Sequence, residues 1–504
     1  MGPDPTGQNP AGSDSGGQRG ASVLDRLEQR ELTRLARRLP DQPAGTRPRP
    51  DLPPGTDLLP QIKHIVVLMM ENHSYDNYLG MLPGRGEGFP RGPDGTPDVT
   101  SPRHGGEPVG ARHLGSTVQE ERVPTQSWHA SHLQWGGGRN DGFVTSAQAL
   151  VPGADATVPM GYWTGADLPF YEGLACTFPV ADHWFCSCLG PTFPNRRFLI
   201  AGTAHGLIDD LPFGMFDHPP AGTLFDMLTR NGLSWVNYHN VSTASVVLKR
   251  ALGGRGLTLA RRLLSLGRWF PPLVRAERGN KSFTADLYPL GLARCLLHLR
   301  RTSQFFTDAD RGTLPAFSLV DPDFGTYSEE NPQDIRKGES FAAEVVNRVM
   351  HGRGWPHTLL IWCYDEHGGY YDHVPPPAAV PPDGVPGHSL LASPSWVRTL
   401  LRPLFPQHIA ELDAADAGPR TYQRYGFRVP AVIVSPYARR DHVCDTVLDH
   451  TSVLKLIEEK WNLPALTARD AAAHSPLAAL DLDGPPAFLD PPPLPPPSLR
   501  WGTW

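Results

Sequence analysis

Residues 358–377 read TLLIWCYDEHGGYYDHVPPP. The first seven, Thr358–Tyr364, are rich in apolar, β-branched and aromatic side chains and stop abruptly at Asp365-Glu366. That length suits a strand, and the lack of polar alternation suits one buried on both faces. Three more runs share this character: Ile62–Met69 (IKHIVVLM), Ala316–Val320 (AFSLV) and Val429–Ser435 (VPAVIVS). A helical pattern over 338–350 (GESFAAEVVNRVM) precedes the 358 run, and another over 449–461 (DHTSVLKLIEEKW) follows the 429 run, with Asp449 as the expected N-cap. Strands alternating with helices predict an α/β fold, a largely parallel central sheet flanked by helices. With 55 prolines and 51 glycines among 504 residues, the connections should be long Pro/Gly-rich loops.

A hydrophobic fraction of 39% and a charged fraction of 19% suit a folded globular chain. A net charge of −6 argues against a nucleic-acid partner, which calls for a basic surplus. There is no run of about 18 apolar residues to cross a membrane. The first 40 residues lack an apolar signal core, and Arg37-Arg38 runs into LPDQPAG rather than an apolar stretch. The expectation is therefore a cytoplasmic protein as the sequence stands; an upstream start with an export signal would make it secreted or cell-surface. The six cysteines include the pair Cys186 and Cys188, too close for an ordinary disulfide, and are read as buried thiols.

In a parallel α/β sheet, ligands bind beyond the carboxyl ends of the strands. Here those ends carry oxygen ligands: Glu71-Asn72 after the first run, Asp321 and Asp323 after the second, Asp365-Glu366 after the third. One such pair is as readily a turn or helix cap. Several converging in one fold favour a hard divalent cation, with Ca²⁺, Mg²⁺ or Mn²⁺ ahead of Zn²⁺. Residues 190–196 (GPTFPNR) read as a tight turn presenting Thr192, with Asn195 and Arg196 as donors for a phosphoryl group. A threonine hydroxyl needs activation, which a metal can provide.

Four segments in order, MMENHSYDNYLG (69–80), GPTFPNRRFLIAGTAHG (190–206), YDEHGGYYDHVPPP (364–377) and YGFRVPAVIVSPYAR (425–439), resemble the bacterial phosphoesterase family of phospholipases C and acid phosphatases. The resemblance spans roughly residues 60–470 and implies an alkaline-phosphatase-like fold. It implies that Glu71, Asn72, Asp365 and Glu366 hold one divalent metal, that Thr192 is the nucleophile, and that Asn72 also touches the phosphoryl group. It implies an active-site role for His129, as leaving-group acid or phosphoryl ligand, with His132 as the nearby competitor. Asp372 and His373 belong to the same cluster, with His373 a further candidate for the substrate region and bracing of the loop the alternative role for both. Where the family has His-Pro, this chain has Asn331-Pro332, and an asparagine carries no positive charge. The family's Asn-Gly-Gly segment is altered to 136–140 (GGGRN). His183, His205, His239 and His450 are given low weight as structural residues.

The expected organisation is a disordered tail at 1–20, a helix and linker at 21–59, a catalytic domain at 60–470 and a Pro-rich tail at 471–504. Within it, 249–301 carries twelve Lys/Arg and two acidic residues among Leu, Phe and Trp. This segment suits peripheral contact with a lipid surface, but a solvated insertion is the slightly favoured reading. The expected activity is phospholipase C-like phosphodiester hydrolysis. The alternatives are an acid phosphatase-like phosphomonoesterase and a catalytically weak protein that binds phospholipid or phosphate ligands. Sulfatase chemistry is disfavoured, because Thr192 stands where a modified Cys or Ser would be needed.

Overall fold

The computed structural model describes residues 45–210, 219–240, 296–388 and 420–502, with isolated positions between 389 and 419. The tail 1–20, the helix expected early in 21–59 and all but the last residues of 249–301 lie outside the described residues. Six strands form the central sheet: β1 His64–Met70, β2 Trp235–His239, β3 Leu299–Arg301, β4 Phe317–Val320, β5 Thr358–Tyr364 and β6 Ala431–Val434. Their order is β6-β5-β1-β4-β2-β3. β1 runs parallel to both β4 and β5, so that Val67 lies between Leu319 and Ile361. Every residue of β5 is buried, and all of β1 but His64, so helices must cover both faces.

The apolar runs became strands at or near the expected residues, and β5 matches end to end. One expectation needs refinement, since β6 is antiparallel to β5. Side-chain patterning carries no strand direction, and an antiparallel edge strand on a parallel sheet is common. Strands β2 (WVNYH) and β3 (LRR) escaped the sequence reading because polar residues interrupt them.

The helices used below are α1 Tyr75–Leu79, α2 Trp128–Trp135, α3 Phe143–Leu150, α4 Pro169–Thr177, α5 Thr192–Ala201, α6 Leu224–Arg230, α7 Thr302–Arg311, α8 Ile335–His351 and α9 Thr451–Trp461. α8 buries Ile335, Phe341, Val345, Val346 and Val349 and packs on β1, β5, α4 and α7. Asp334 caps it by accepting from the Arg336 amide. α9 begins later than expected: His450, not Asp449, holds the N-cap position. The reason is local, because the His450 Nε2 donates to the Asp365 carbonyl at 2.7 Å and Asp449 instead accepts from the Ser187 and Thr451 hydroxyls.

The Pro-rich stretch after 476 lies against this body. Phe488 is buried, and its carbonyl accepts from the Trp355 indole at 2.9 Å. Burying such a ring contributes about 1.5–3 kcal/mol. Further on, Ser498 donates through both amide and hydroxyl to Glu339 Oε2, and Trp501 packs on Tyr327 and Phe341.

Candidate active site

Because β1, β4 and β5 are neighbours and parallel, their carboxyl ends bring Glu71-Asn72, Asp321 and Asp365-Glu366 together, all buried. Asp365 Oδ1 accepts from the amides of Asn72 at 3.2 Å and Glu366 at 2.8 Å, so the two expected metal pairs are hydrogen-bonded to each other. Asn72 adopts a left-handed φ of 70°, a conformation asparagine tolerates. Gly368 lies against it, and a Cβ there would sit 1.9 Å from the Asn72 carbonyl oxygen. The glycine after the DEH sequence is thus required by the close approach of two backbones.

Thr192 opens α5 and is 6% exposed. The turn before it is closed by Asn195, whose Oδ1 accepts from the Cys188 amide at 3.0 Å while Nδ2 donates to the carbonyls of Gly190 and Pro191 at 2.8 and 3.0 Å. Both ends of the amide of Asn195, expected as a phosphoryl donor, are engaged here in shaping the Thr192 turn. Arg196, the other expected phosphoryl donor, is also engaged within the protein. Its Nε donates to Asp365 Oδ2 at 3.0 Å, its Nη1 to Asp321 Oδ1 at 2.9 Å and its Nη2 to the Met69 and Met70 carbonyls at 3.3 Å. Glu71 stands 4.0 Å away. Arg196 is one helical turn after Thr192 and on the same face, so it docks the Thr192 end of α5 onto all three strand ends. Asp321, legible only as an acid at a strand end, belongs to this assembly and also accepts from Asn237 at 2.8 Å.

Burial penalises the charges here. It raises the carboxyl pKa of Asp365 and of Asp321 in spite of Arg196. Glu366 is pushed well above the carboxylate range, first by burial and then by Asp365, with Asp210 and Glu71 adding to it. Arg196 is held charged, because Asp365, Asp321 and Glu71 outweigh its own burial. Two buried oxygens of the expected ligand set, Asn72 Oδ1 and Glu366 Oε1, accept no hydrogen bond. Oxygen acceptors without donors, in a cluster of carboxylates that outnumbers its guanidinium, fit a hard divalent cation.

Away from the strand ends, Asp76, Asp372 and His373 have ligand atoms within 4.8 Å of one another. Arg428, fully buried, already sits against them, 3.1 Å from Asp76 Oδ1 and 2.8 Å from Asp372 Oδ1.

The remaining candidates are placed as follows. His129 is partly buried on the first turn of α2, next in the chain to Trp128, which lies against Gly190. Burial lowers its pKa and favours the neutral imidazole. His132 bonds the Trp128 carbonyl at 2.7 Å and is lowered to about 4, which leaves it a structural residue. Asn331 donates to the Glu120 and Glu121 carbonyls at 3.3 Å, so its amide holds a loop. His373 bonds Asp76 at 2.6 Å through Nδ1, and burial is outweighed by this carboxylate, raising its pKa. Neither contact is to the strand-end carboxylates; in this structure both side chains anchor loops. Asp210 was not legible in the sequence: it accepts from the Phe193 amide at 2.8 Å, beside Thr192.

Glu329, in the loop whose Ser328 carbonyl accepts the Glu71 amide, is buried and accepts from the hydroxyls of Tyr78, Tyr171 and Tyr364 at 2.8, 2.6 and 2.5 Å. Burial raises its pKa to about 8 against the three donors. A raised acid favours the folded state below its unfolded pKa and loses that contribution as pH rises toward the folded value. Glu329→Gln should therefore flatten the decline in stability between about pH 5 and pH 8, measured by urea unfolding at each pH. An unchanged slope would exclude this carboxyl as its source.

A mostly parallel sheet with acids gathered at its parallel strand ends has the arrangement of an α/β enzyme whose ligand binds beyond the strand ends. The phosphoesterase family model matches residues 62–464, and the chain belongs to that family. Phospholipase C B of Mycobacterium tuberculosis is 30% identical over 461 residues, covering 85% of this chain and 79% of that protein. Non-specific phospholipase C1 of Arabidopsis thaliana is 27% identical over 438 residues, covering 82% and 69%. Non-hemolytic phospholipase C of Burkholderia pseudomallei is 28% identical over 445 residues, covering 81% of this chain and 56% of its own length. The chain is a hydrolase acting on phosphate esters.

Proposed function

We propose that this hydrolase is a metal-dependent phosphodiesterase of the phospholipase C kind in which the Thr192 oxygen attacks phosphorus. The observation that supports the reading is the docking onto the strand-end acids, through Arg196, of α5, the helix that Thr192 opens. A helix N-terminus favours an anion, here the phosphoryl group. Glu71, Asn72, Asp365 and Glu366 would hold one divalent cation, which when bound lowers the pKa of a coordinated hydroxyl and offsets developing charge. Asn195 fixes the turn so that Thr192 is presented without rearrangement. His129, kept neutral by its burial, suits hydrogen bonding to a phosphoryl oxygen better than protonating the leaving alcohol.

Charge favours a diester. Arg196 is engaged by carboxylates, and Asn331 stands where the resembling family has a histidine, so among the described candidate site residues little positive charge beyond the cation is left for substrate. A monoester dianion needs more of it than a diester monoanion does. The phospholipase C names of the relatives agree, and the basic segment 249–301 is the proposed lipid contact. The test is the ratio of kcat/KM for phosphatidylcholine in mixed micelles to that for p-nitrophenyl phosphate, with metal present. A ratio above about 10, or 1.4 kcal/mol of discrimination, is expected. A ratio below one would select the phosphomonoesterase reading.

A further inference from the structure

Helix α5 begins without a cap of its own. Its N-cap residue is Pro191, which has no side-chain acceptor for the first-turn amides. The acceptor comes from outside the helix: Asp210 Oδ1 takes the Phe193 amide at 2.8 Å, from 17 residues further along the chain. Phe193 follows Thr192 directly, so covalent geometry keeps the Thr192 hydroxyl within about 8 Å of that carboxylate oxygen. Asp210 is exposed, whereas Thr192, Glu71, Asn72, Asp365 and Glu366 are buried. Its charge also reaches the strand ends, where it is one of the groups that raise Glu366. A neutral asparagine or serine caps a helix about as well as an aspartate does. A carboxylate at this place does more than cap: it offsets part of the positive end of α5 and repels further negative charge brought to Thr192.

We propose that Asp210 is a specificity-determining residue, which sets the Thr192 site against phosphomonoester dianions and in favour of phosphodiester monoanions. This rests on the reading of Thr192 as the attacking group and adds to it a residue that selects the ester. Both kinds of ester present the same reacting phosphorus. The monoester carries about one more negative charge at neutral pH, because its second pKa lies near ~6. Attack from the Thr192 oxygen brings that charge into the range of Asp210. One charge acting on another at about 8 Å changes an equilibrium by about two- to thirtyfold, as the effective dielectric constant falls from that of water to that of a protein surface. The diester, with a single charge, feels the smaller share of this repulsion.

The test uses the whole, metal-loaded protein at about pH 8, where the monoester is a dianion. The substrates are p-nitrophenyl phosphate and methyl p-nitrophenyl phosphate, which share a leaving group and differ in charge. Asp210→Asn keeps an oxygen to accept the Phe193 amide and removes the charge, whereas Asp210→Glu keeps the charge. The ratio of kcat/KM for the monoester to that for the diester should rise at least about threefold in Asp210→Asn and stay at the wild-type value in Asp210→Glu. A cap with no other role changes both esters together and leaves the ratio where it was. A rise of less than about threefold in Asp210→Asn, or an equal rise in both variants, would overturn the proposal. Thr192→Val on the same two esters keeps the two readings apart: full activity there removes the nucleophile, while the ratio in Asp210→Asn still reports the effect of the charge.

Discussion

Thr192→Val should lose turnover by at least about 10³-fold while folding and melting like the wild type. Valine keeps the branched shape at the start of α5 and deletes only the oxygen. The elements that build the turn are elsewhere, in Asn195 and its bonds to the carbonyls of Gly190 and Pro191 and to the Cys188 amide. The loss should fall on kcat, with little change in KM, because the oxygen acts on the reacting phosphorus rather than on the rest of the substrate. Activity within tenfold of the wild type, in a folded and metal-supplemented variant, would remove Thr192 from the reaction.

Glu366→Gln should reverse in sign between metal-free and metal-loaded protein. Without metal, burial and Asp365 drive Glu366 toward its protonated form, which glutamine resembles, so the variant should be as stable as the wild type or more so. With metal at about 100 times its Kd, the wild type gains about 2.7 kcal/mol from binding, and the variant, lacking an anionic ligand, gains much less. Melting curves in chelator and in millimolar Ca²⁺, Mg²⁺ or Mn²⁺ should therefore cross. Activity should fall by about 10²-fold or more. Equal metal-induced shifts in the two proteins would mean that Glu366 is no ligand.

Much of this was legible in the sequence because burial leaves a strong mark. An uninterrupted run such as Thr358–Tyr364 has few alternatives to a two-face-buried strand, and an acid at its end falls where a parallel sheet binds ligands. So the convergence of Glu71-Asn72 with Asp365-Glu366 followed from three runs and one topology. What was not legible depended on pairing. The antiparallel sense of β6, and strands as polar as β2 and β3, leave no periodic trace. Asn195 and Arg196 were legible as donors, but their partners within the protein were not: a donor in a motif does not announce whether a ligand or the protein's own oxygens will take it. Arg196 meets Asp321 and Asp365, 125 and 169 residues away in the chain, and Asp210 meets the Phe193 amide across a loop with no repeat or spacing to betray it. The same holds for His373 and Asn331, whose polar ends are satisfied by distant loops.

A single-turnover reaction tests the role of Thr192 directly. Metal-loaded enzyme in excess is mixed with a choline phospholipid labelled in its headgroup phosphate, quenched in acid at successive times and digested for mass spectrometry. The prediction is a transient labelled adduct on the peptide containing Thr192, absent from Thr192→Val. Product forming at the full rate with no label on the protein at any time, or with label on another residue, would contradict it.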